Sequence, residues 1–258
     1  MRQYLQIYKE FFLISLAEEL SFRLNFLLQS LMNISFLGVY FLSSFFIFDH
    51  VSLIGLWTKE QFLFFLSFAL VIDQIHYLLF SFNFWVFSEN IRTGYFDFIL
   101  LKPVSSFFIV FFKEVAITGI LTVILTLPIL IHFGLKLELS FWIWLSLPVC
   151  LFFALALLLG LEVIISLLNF LTVEGMGVNQ MRLQIQQLTR WPDFIYKKNI
   201  KWFLFPFLAI TSIPVHSMLD RSYWFYFIGM MLGVFILWTL ILFWLWPKGT
   251  RYYESASS

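Results

Sequence analysis

The sequence predicts an all-α integral membrane protein with six transmembrane helices. An N-terminal helix at the membrane interface and a short helix in a cytoplasmic connection complete the expected fold. Three observations carry this reading. Of the 258 residues 61% are hydrophobic and 12% charged, whereas a soluble domain is about half apolar and about a quarter charged. The apolar residues form long charge-free runs without the strict alternation of a membrane barrel strand. The basic residues collect on one side of those runs.

Composition also excludes classes. Disorder needs low hydrophobicity and high charge, and 36 phenylalanines exceed what a soluble core of this size needs. A net charge of +1 offers no attraction for nucleic acid. The single cysteine, Cys150, rules out an internal disulfide and a cysteine-based zinc site. The four histidines, His50, His76, His132 and His216, form no H-E-x-x-H pair, so no metal site is expected. Neither a G-x-S-x-G elbow nor a G-x-x-x-x-G-K-[ST] loop occurs. The chain therefore reads as no enzyme and as having no nucleotide or cofactor site of its own.

Residues 1–21 come first. Tyr4, Leu5, Tyr8, Phe11, Phe12 and Leu16 share one helical face, and Arg2, Gln3, Gln6, Lys9 and Glu10 fall largely on the other. That pattern fits a helix lying flat at the inner interface. Glu10, Glu18 and Glu19 interrupt any apolar stretch there, so a cleaved signal peptide is not expected. Residues 22–258 are expected to form one six-helix domain.

A crossing needs about 20 mostly apolar residues. Residues 24–48 carry no Asp, Glu, Lys or Arg, and 61–88 carry only Asp73. Residues 115–135 carry none, which places a third span at about 110–135. Residues 139–173 carry only Glu162, and the run is long enough that its helix tilts or projects. Residues 202–219 and 222–247 carry none. The 202–219 run is the shortest and contains Pro206 and Pro214, so a broken or re-entrant segment is an open alternative, with five spans. With the N-terminus placed inside, 13 of the 16 Lys and Arg residues lie on the cytoplasmic side, and only Lys59, Lys136 and Arg221 lie outside. Five of the 13 belong to an expected connection over 182–201: Arg182, Arg190, Lys197, Lys198 and Lys201. Both termini are then cytoplasmic. Trp57, Trp142, Trp144, Trp191, Trp202, Trp224 and Trp246 sit near span boundaries, as in an aromatic belt.

The connection between spans two and three is the most specific segment. A short helix is expected to end at Gly94, where a left-handed residue costs least. Asp97 is expected to cap a second turn, and Pro103 to stop it before span three. The pattern Arg92-x-Gly94-x-x-Asp97-x-x-Leu100-x-Lys102-Pro103 resembles the cytoplasmic signature of ABC type-2 transporter permeases, in particular a bacterial six-span subgroup. Trp191-Pro192-Asp193-x-Ile195-Tyr196 is similar to that family's [Phe/Trp]-Pro-x-x-x-Tyr stretch. The ending Trp246-x-x-Gly249-x-x-x-Tyr253-Glu254-Ser255-Ala256 is similar to its Trp-x-x-Gly-x-x-x-Tyr-x-Ser-Ala. Each motif alone is weak, but their order and spacing along the chain agree with the family.

The resemblance implies a permease subunit, usually of an exporter, in a bacterial plasma (inner) membrane. It implies separate ATP-binding-cassette ATPase subunits as partners, which bind the ATP and Mg. A second permease completes the pathway, as a homodimer or as a related heterodimer partner. It further implies that residues 1–20 and a coupling helix within 89–103 contact the ATPase. Arg92, Asp97 and Lys102 would dock, and Gly94 and Pro103 would shape the element. Membrane lipids are the remaining expected partners.

Polar residues inside spans give the other leads, because an ionisable group in a span turns toward the bundle interior. Asp73 and His76 lie three apart and share a face. They either line a polar pathway or lock packing through interhelical hydrogen bonds. Glu162 is expected to pair with a basic group at the inner interface. Gly119 and Gly160 allow close helix contact. Two other classes fit six spans. A membrane scaffold would have no ATPase partner. An intramembrane lipid enzyme would need convergent catalytic groups, and no nucleophile accompanies Asp73 and His76.

Overall fold

A computed structural model describes residues 2–172, 175–220 and 224–253. Its helices are α1 (Arg2–Ser21), α2 (Arg23–Phe48), α3 (Lys59–His76), α4 (Phe82–Arg92), α5 (Phe96–Leu100), α6 (Ser106–Phe112), α7 (Gly119–Lys136), α8 (Phe141–Ser166), α9 (Gly175–Leu188), α10 (Lys198–Leu208), α11 (Ser212–Leu219) and α12 (Trp224–Tyr252). A π-turn at Tyr77–Ser81 joins α3 to α4, so the second span is continuous from Lys59 to Arg92. A 3-10 turn at Leu167–Phe170 extends α8. Among the described residues there is no strand.

Five helical stretches are long and apolar enough to cross a membrane: Arg23–Phe48, Lys59–Arg92, Gly119–Lys136, Phe141–Phe170 and Trp224–Tyr252. The second is the axis of the bundle. It starts from a capping box, in which Thr58 Oγ1 accepts from the Gln61 amide and the Gln61 side chain accepts from the Thr58 amide. Residues from Phe62 through Asp73 are then buried on every face, so neighbours surround this helix. An all-apolar helix of that kind packs only in a core or in lipid. Gly160 lets α12 approach α8, since a Cβ there would stand 3.4 Å from Trp238 Cβ. Gly229 and Gly233 lie four residues apart on α12 with open space beside both.

The two ends of the bundle differ. At one end the chain turns at 93–105, and Phe96 packs against Phe170 and Tyr253. At the opposite end, where α2 leads into α3, Trp57 packs against Phe194 and His216. Gly55, at φ 63°, is where Phe194 crosses the chain. The Trp191-Pro192-Asp193 stretch therefore lies at the end opposite the 92–103 segment, not in a connection beside it.

Several expected spans take a different form. The third is not one helix over 110–135, because α6 stops at Phe112 and α7 begins at Gly119. The run 202–219 is also not one helix. It divides into α10 and α11 around 209–211, about 16 Å and 12 Å long by helix rise, against about 30 Å of hydrocarbon. Thr211 Oγ1 donates to the Thr189 carbonyl at that turn. Residues 182–201 do not form the expected connection. Most of α9 lies inside the bundle against α4 and α8, running from Ser88 and Asn169 at one end toward Trp57 at the other.

Gly175 marks the tight start of α9. A Cβ there would overlap Ser88 and stand 2.8 Å from Asn169 Oδ1. Gly175→Val is expected to cost about 1–3 kcal/mol through overpacking. The check is the thermal midpoint for exposure of buried Cys150 to a thiol-reactive dye, which should fall in this variant. At the opposite end Asp193 accepts from Lys201 at 2.8 Å and lies 2.6 Å from His216 Nε2. Burial pushes its carboxyl up, but the His216 and Lys201 hydrogen bonds and charges outweigh this and hold it below the ordinary carboxylate range. Its contribution is thus complete above an unfolded value of about 3.9 and is lost as pH falls through the folded value. Asp193→Asn should raise amide exchange in α11 at neutral pH. The unsubstituted chain should approach that exchange pattern only under acid.

Candidate functional site

The connecting segment after the second span is a small amphipathic element. Helix α4 ends at Arg92, and Gly94 takes φ 73°, which only glycine adopts freely. Asp97 is not the cap of α5. It lies within the first turn, its amide donating to Gly94 O at 3.2 Å, while Tyr95 occupies the cap without a side-chain bond. Phe96 and Ile99 are buried, whereas Tyr95, Phe98, Leu101, Lys102 and Pro103 are exposed. Leu101 is 82% exposed. Arg92 is engaged with Glu89 through two hydrogen bonds of 2.9 and 2.6 Å.

The buried side of this element enters an aromatic cluster. Phe96 meets Phe87, Phe170, Trp246 and Tyr253 with centroids 5.0 to 6.5 Å apart, all near edge-to-face. The C-terminal Trp246-x-x-Gly249-x-x-x-Tyr253 pattern thus has a physical basis. Trp246 and Tyr253 flank Phe170, and a Cβ on Gly249 would stand 2.6 Å from that ring. The segment from Glu254 to Ala256 lies outside the described residues.

A second constellation runs along α9 through the bundle. Arg182, fully buried, donates through Nη1 to Glu162 Oε2 at 2.6 Å. His76 Nε2 lies 3.3 Å from the same oxygen. Arg182 Nε also reaches Asn179 Oδ1 at 3.4 Å, and its guanidinium stacks 4.6 Å over Phe84. Asn179 donates to Ser88 Oγ at 2.7 Å, and Ser88 donates to Asn169 Oδ1 at 3.2 Å. Two turns further along α9, Gln186 donates to Asp73 Oδ1 at 3.2 Å. Arg190 Nε lies 2.5 Å from Asp73 Oδ2, and its Nη1 donates to Tyr40 at 2.7 Å. The ladder matches two carboxyl groups with two guanidinium groups. Glu162 Oε1 and Arg182 Nη2 have no hydrogen-bond partner among the described residues.

The ladder opens to one side. A cavity of about 320 Å³ is lined by Asn33, Tyr40, Asp73, Gln74, Gln186 and Arg190. A neighbouring cavity of about 710 Å³ shares Tyr77 and Ser81 with it and continues past Gln29, Asn25 and Glu18. Among the described residues no cluster of His, Cys, Asp and Glu has the form of a metal site.

A family model for ABC-2 family transporter proteins matches residues 34–257. The chain belongs to the ABC-2 transporter family. No curated protein and no solved structure matches it. As an ABC-2 chain it is a multi-pass membrane protein and a permease component of an ABC transporter. The family implies an ABC ATPase subunit as its partner.

Within this ABC-2 permease the predicted residues fall into two groups. Arg92, Gly94, Asp97, Lys102 and Pro103 gather at one end of the bundle, on the exposed element. Asp73, His76 and Glu162 lie in its interior. Asp73 and His76 share a face as expected, but each has its own partners. Glu162 finds its basic partner in the buried interior and not at an interface, because α9 carries Arg182 there. Sequence reasoning missed Asn179, Arg182, Gln186 and Arg190 as interior groups. Their spacing of three, four and four puts them on one helical face, and two carboxylates inside spans demanded two cations.

Removing one member of a buried pair strands the other charge. Arg182→Leu is expected to destabilise the chain by about 3–5 kcal/mol. Adding Glu162→Leu should recover most of that loss. A double-mutant cycle on the unfolding midpoint in lipid nanodiscs checks both, and additive losses would contradict the pairing.

Proposed function

We propose that this chain is the permease subunit of an ATP-binding-cassette exporter in a bacterial inner membrane, driven by separate ATPase subunits that bind ATP and Mg. The observation that carries the reading is the α5 element. It is anchored by Phe96 in the aromatic cluster and offers Tyr95, Phe98, Leu101 and Lys102 outward. A stiffly held, exposed, apolar and basic turn between two membrane helices suits docking on a soluble motor. Arg92, Asp97 and Lys102 supply polar contacts, and Gly94 and Pro103 shape the turn. α5 is then the coupling helix, and α1 is the interfacial helix beside it.

In this reading the chain crosses six times with both termini cytoplasmic. The sixth crossing beyond the five long helices is α9, as the fifth in chain order. Its polarity is tolerated because Asn179, Arg182 and Gln186 turn inward to partners. Helices α10 and α11 form a re-entrant hairpin from the outer side, where irregular backbone is allowed if protein buries it. Gln180, Gln184 and Gln187 on α9, with Asn25 and Gln29 on α2, remain exposed. Exposed carboxamides at membrane depth are costly against lipid. They suit a wall facing a second permease, identical or related, across a hydrated pathway. Asp73, His76 and Glu162 stand behind that wall, with Asp73 reaching the cavity.

ATP binding would close the ATPase subunits, carry the coupling helices with them and change which side the pathway faces. Replacing Gly94 by Val together with Asp97 by Ala should abolish transport-linked ATP hydrolysis while the protein stays in the membrane. The measurement is hydrolysis by the permease co-purified with its ATPase in nanodiscs. Undiminished coupled hydrolysis would count against the docking role, and failure of any ATPase to co-purify with the unsubstituted chain would favour a scaffold.

A further inference from the structure

The break in the third span is held from two sides. Between α6 and α7 every backbone amide from Glu114 to Thr118 has a named partner. The second span takes two of them. Glu114 donates to Asn83 Oδ1 at 2.8 Å, and Asn83 Nδ2 returns a 2.8 Å bond to Glu114 O. Ala116 donates to Leu78 O at 2.8 Å. Leu78 lies in the π-turn, where the altered helical register lets a carbonyl turn outward. Helix α1 takes the other three. Val115 donates to Ser15 Oγ at 3.2 Å, Ile117 to Glu19 Oε1 at 2.8 Å and Thr118 to Glu19 Oε2 at 3.0 Å.

Glu19 thus uses both carboxylate oxygens on the orphan amides at the start of α7, which a helix cannot satisfy by itself. The rest of α1 lies along the segment on the other side of the break. Tyr4 accepts from the Ser105 amide at 3.4 Å and meets the Phe108 ring edge-on at 4.9 Å, and Phe11 stacks on Phe108 at 6.2 Å. The contacts 4 to 105, 11 to 108, 15 to 115 and 19 to 117 keep the same order in both strands of chain. Helix α1 is therefore a splint, fixed to α6 at one end and to α7 at the other.

We propose that Glu19 is a positioning residue for transport: it ties α1 to Ile117 and Thr118, the two residues that lead into α7, so that movement of the coupling segment and α6 reaches the membrane part of span three instead of being absorbed in the break. The inference rests on the permease reading. It gives Ser15 a supporting role and makes Asn83 the opposing jaw on the second span.

Two arms test it, both in a Cys150→Ala background. The first uses the permease alone in nanodiscs and needs no ATPase. Glu19→Ala should raise amide exchange in a peptide covering 113–119 by about 10- to 100-fold, the span for losing a hydrogen bond to a charged group. Glu19→Gln should raise it less, because one acceptor oxygen remains. Unchanged exchange in Glu19→Ala overturns the proposal. The second arm uses the permease with its co-purified ATPase and two pairs of spin labels, at positions 9 and 125 and at positions 125 and 152. With Glu19 intact, ATP with vanadate should change the 125–152 distance and leave the 9–125 distance fixed. In Glu19→Ala the 9–125 distance should change and the 125–152 distance should stay. A Glu19→Ala protein that moves like its parent overturns the proposal. A parent that shows no ATP-dependent change overturns the permease reading and the transport role with it, while the exchange arm still decides whether Glu19 holds the joint.

Discussion

Hydrocarbon supplies no partner for a charge or a free amide, so every such group at membrane depth must be answered from within the chain. The ladder on α9 is where this constraint acts most strongly. Glu162 on the fourth span is answered by Arg182 of α9 and Asp73 on the second by Arg190 in the turn just past it. The pairs fix the depth, rotation and direction of α9 together, because shifting the helix by one residue would misalign Asn179, Arg182, Gln186 and Arg190 at once. The chain beyond it is placed by the same registration, including the turn at Phe194 and the α10–α11 pair that closes on Thr189.

The same constraint explains two departures from regular helix. A π-turn in the second span and a six-residue break in the third would each leave backbone groups unpaired. They lie side by side, and the Leu78 carbonyl meets the Ala116 amide. Asn83 adds two bonds to the Glu114 backbone. The other three amides of the break are taken by Ser15 and Glu19 of α1. The non-helical stretch between α6 and α7 thus keeps its amides paired by drawing on both the second span and α1.

Much of the architecture was legible because composition and run length act directly. Residues 24–48, 61–88 and 222–247 carry no more than one charge each, and a helix is the structure that hides their backbone. The broken form of 202–219 was legible in part from Pro206 and Pro214. Pattern failed where tertiary partners decide. In 110–135 the adjacent charges Lys113 and Glu114 are the local sign of the break, but the groups that stabilise it, Ser15, Glu19, Leu78 and Asn83, lie up to about 100 positions away. The sequence pattern places Arg182 and Arg190 in a loop, because charge signals exposure on average. That rule fails for a cation whose counter-ion is itself buried. The Gly94 turn and the Gly249 contact were visible as motif letters. Their reasons, a positive φ and the Phe170 ring, exist only in three dimensions.

The molecule thus has two cores with different mechanical character. The larger one surrounds α3 and is built from aliphatic and aromatic side chains of α7, α8, α11 and α12. The smaller one joins α4, α5, α6 and the end of α12 through interlocking rings of Phe87, Phe96, Phe111, Phe170 and Trp246. Close-packed rings transmit displacement because they cannot deform continuously. The rings tie α5 to the ends of α4, α8 and α12 as one packed unit. Between the cores lies the ladder, where Glu162 and Arg182 each keep one buried polar atom without a hydrogen-bond partner among the described residues. Shifting α9 against α3 and α8 would break these buried pairs, so the ladder holds the register of α9 while the ring cluster holds α5 to its neighbours.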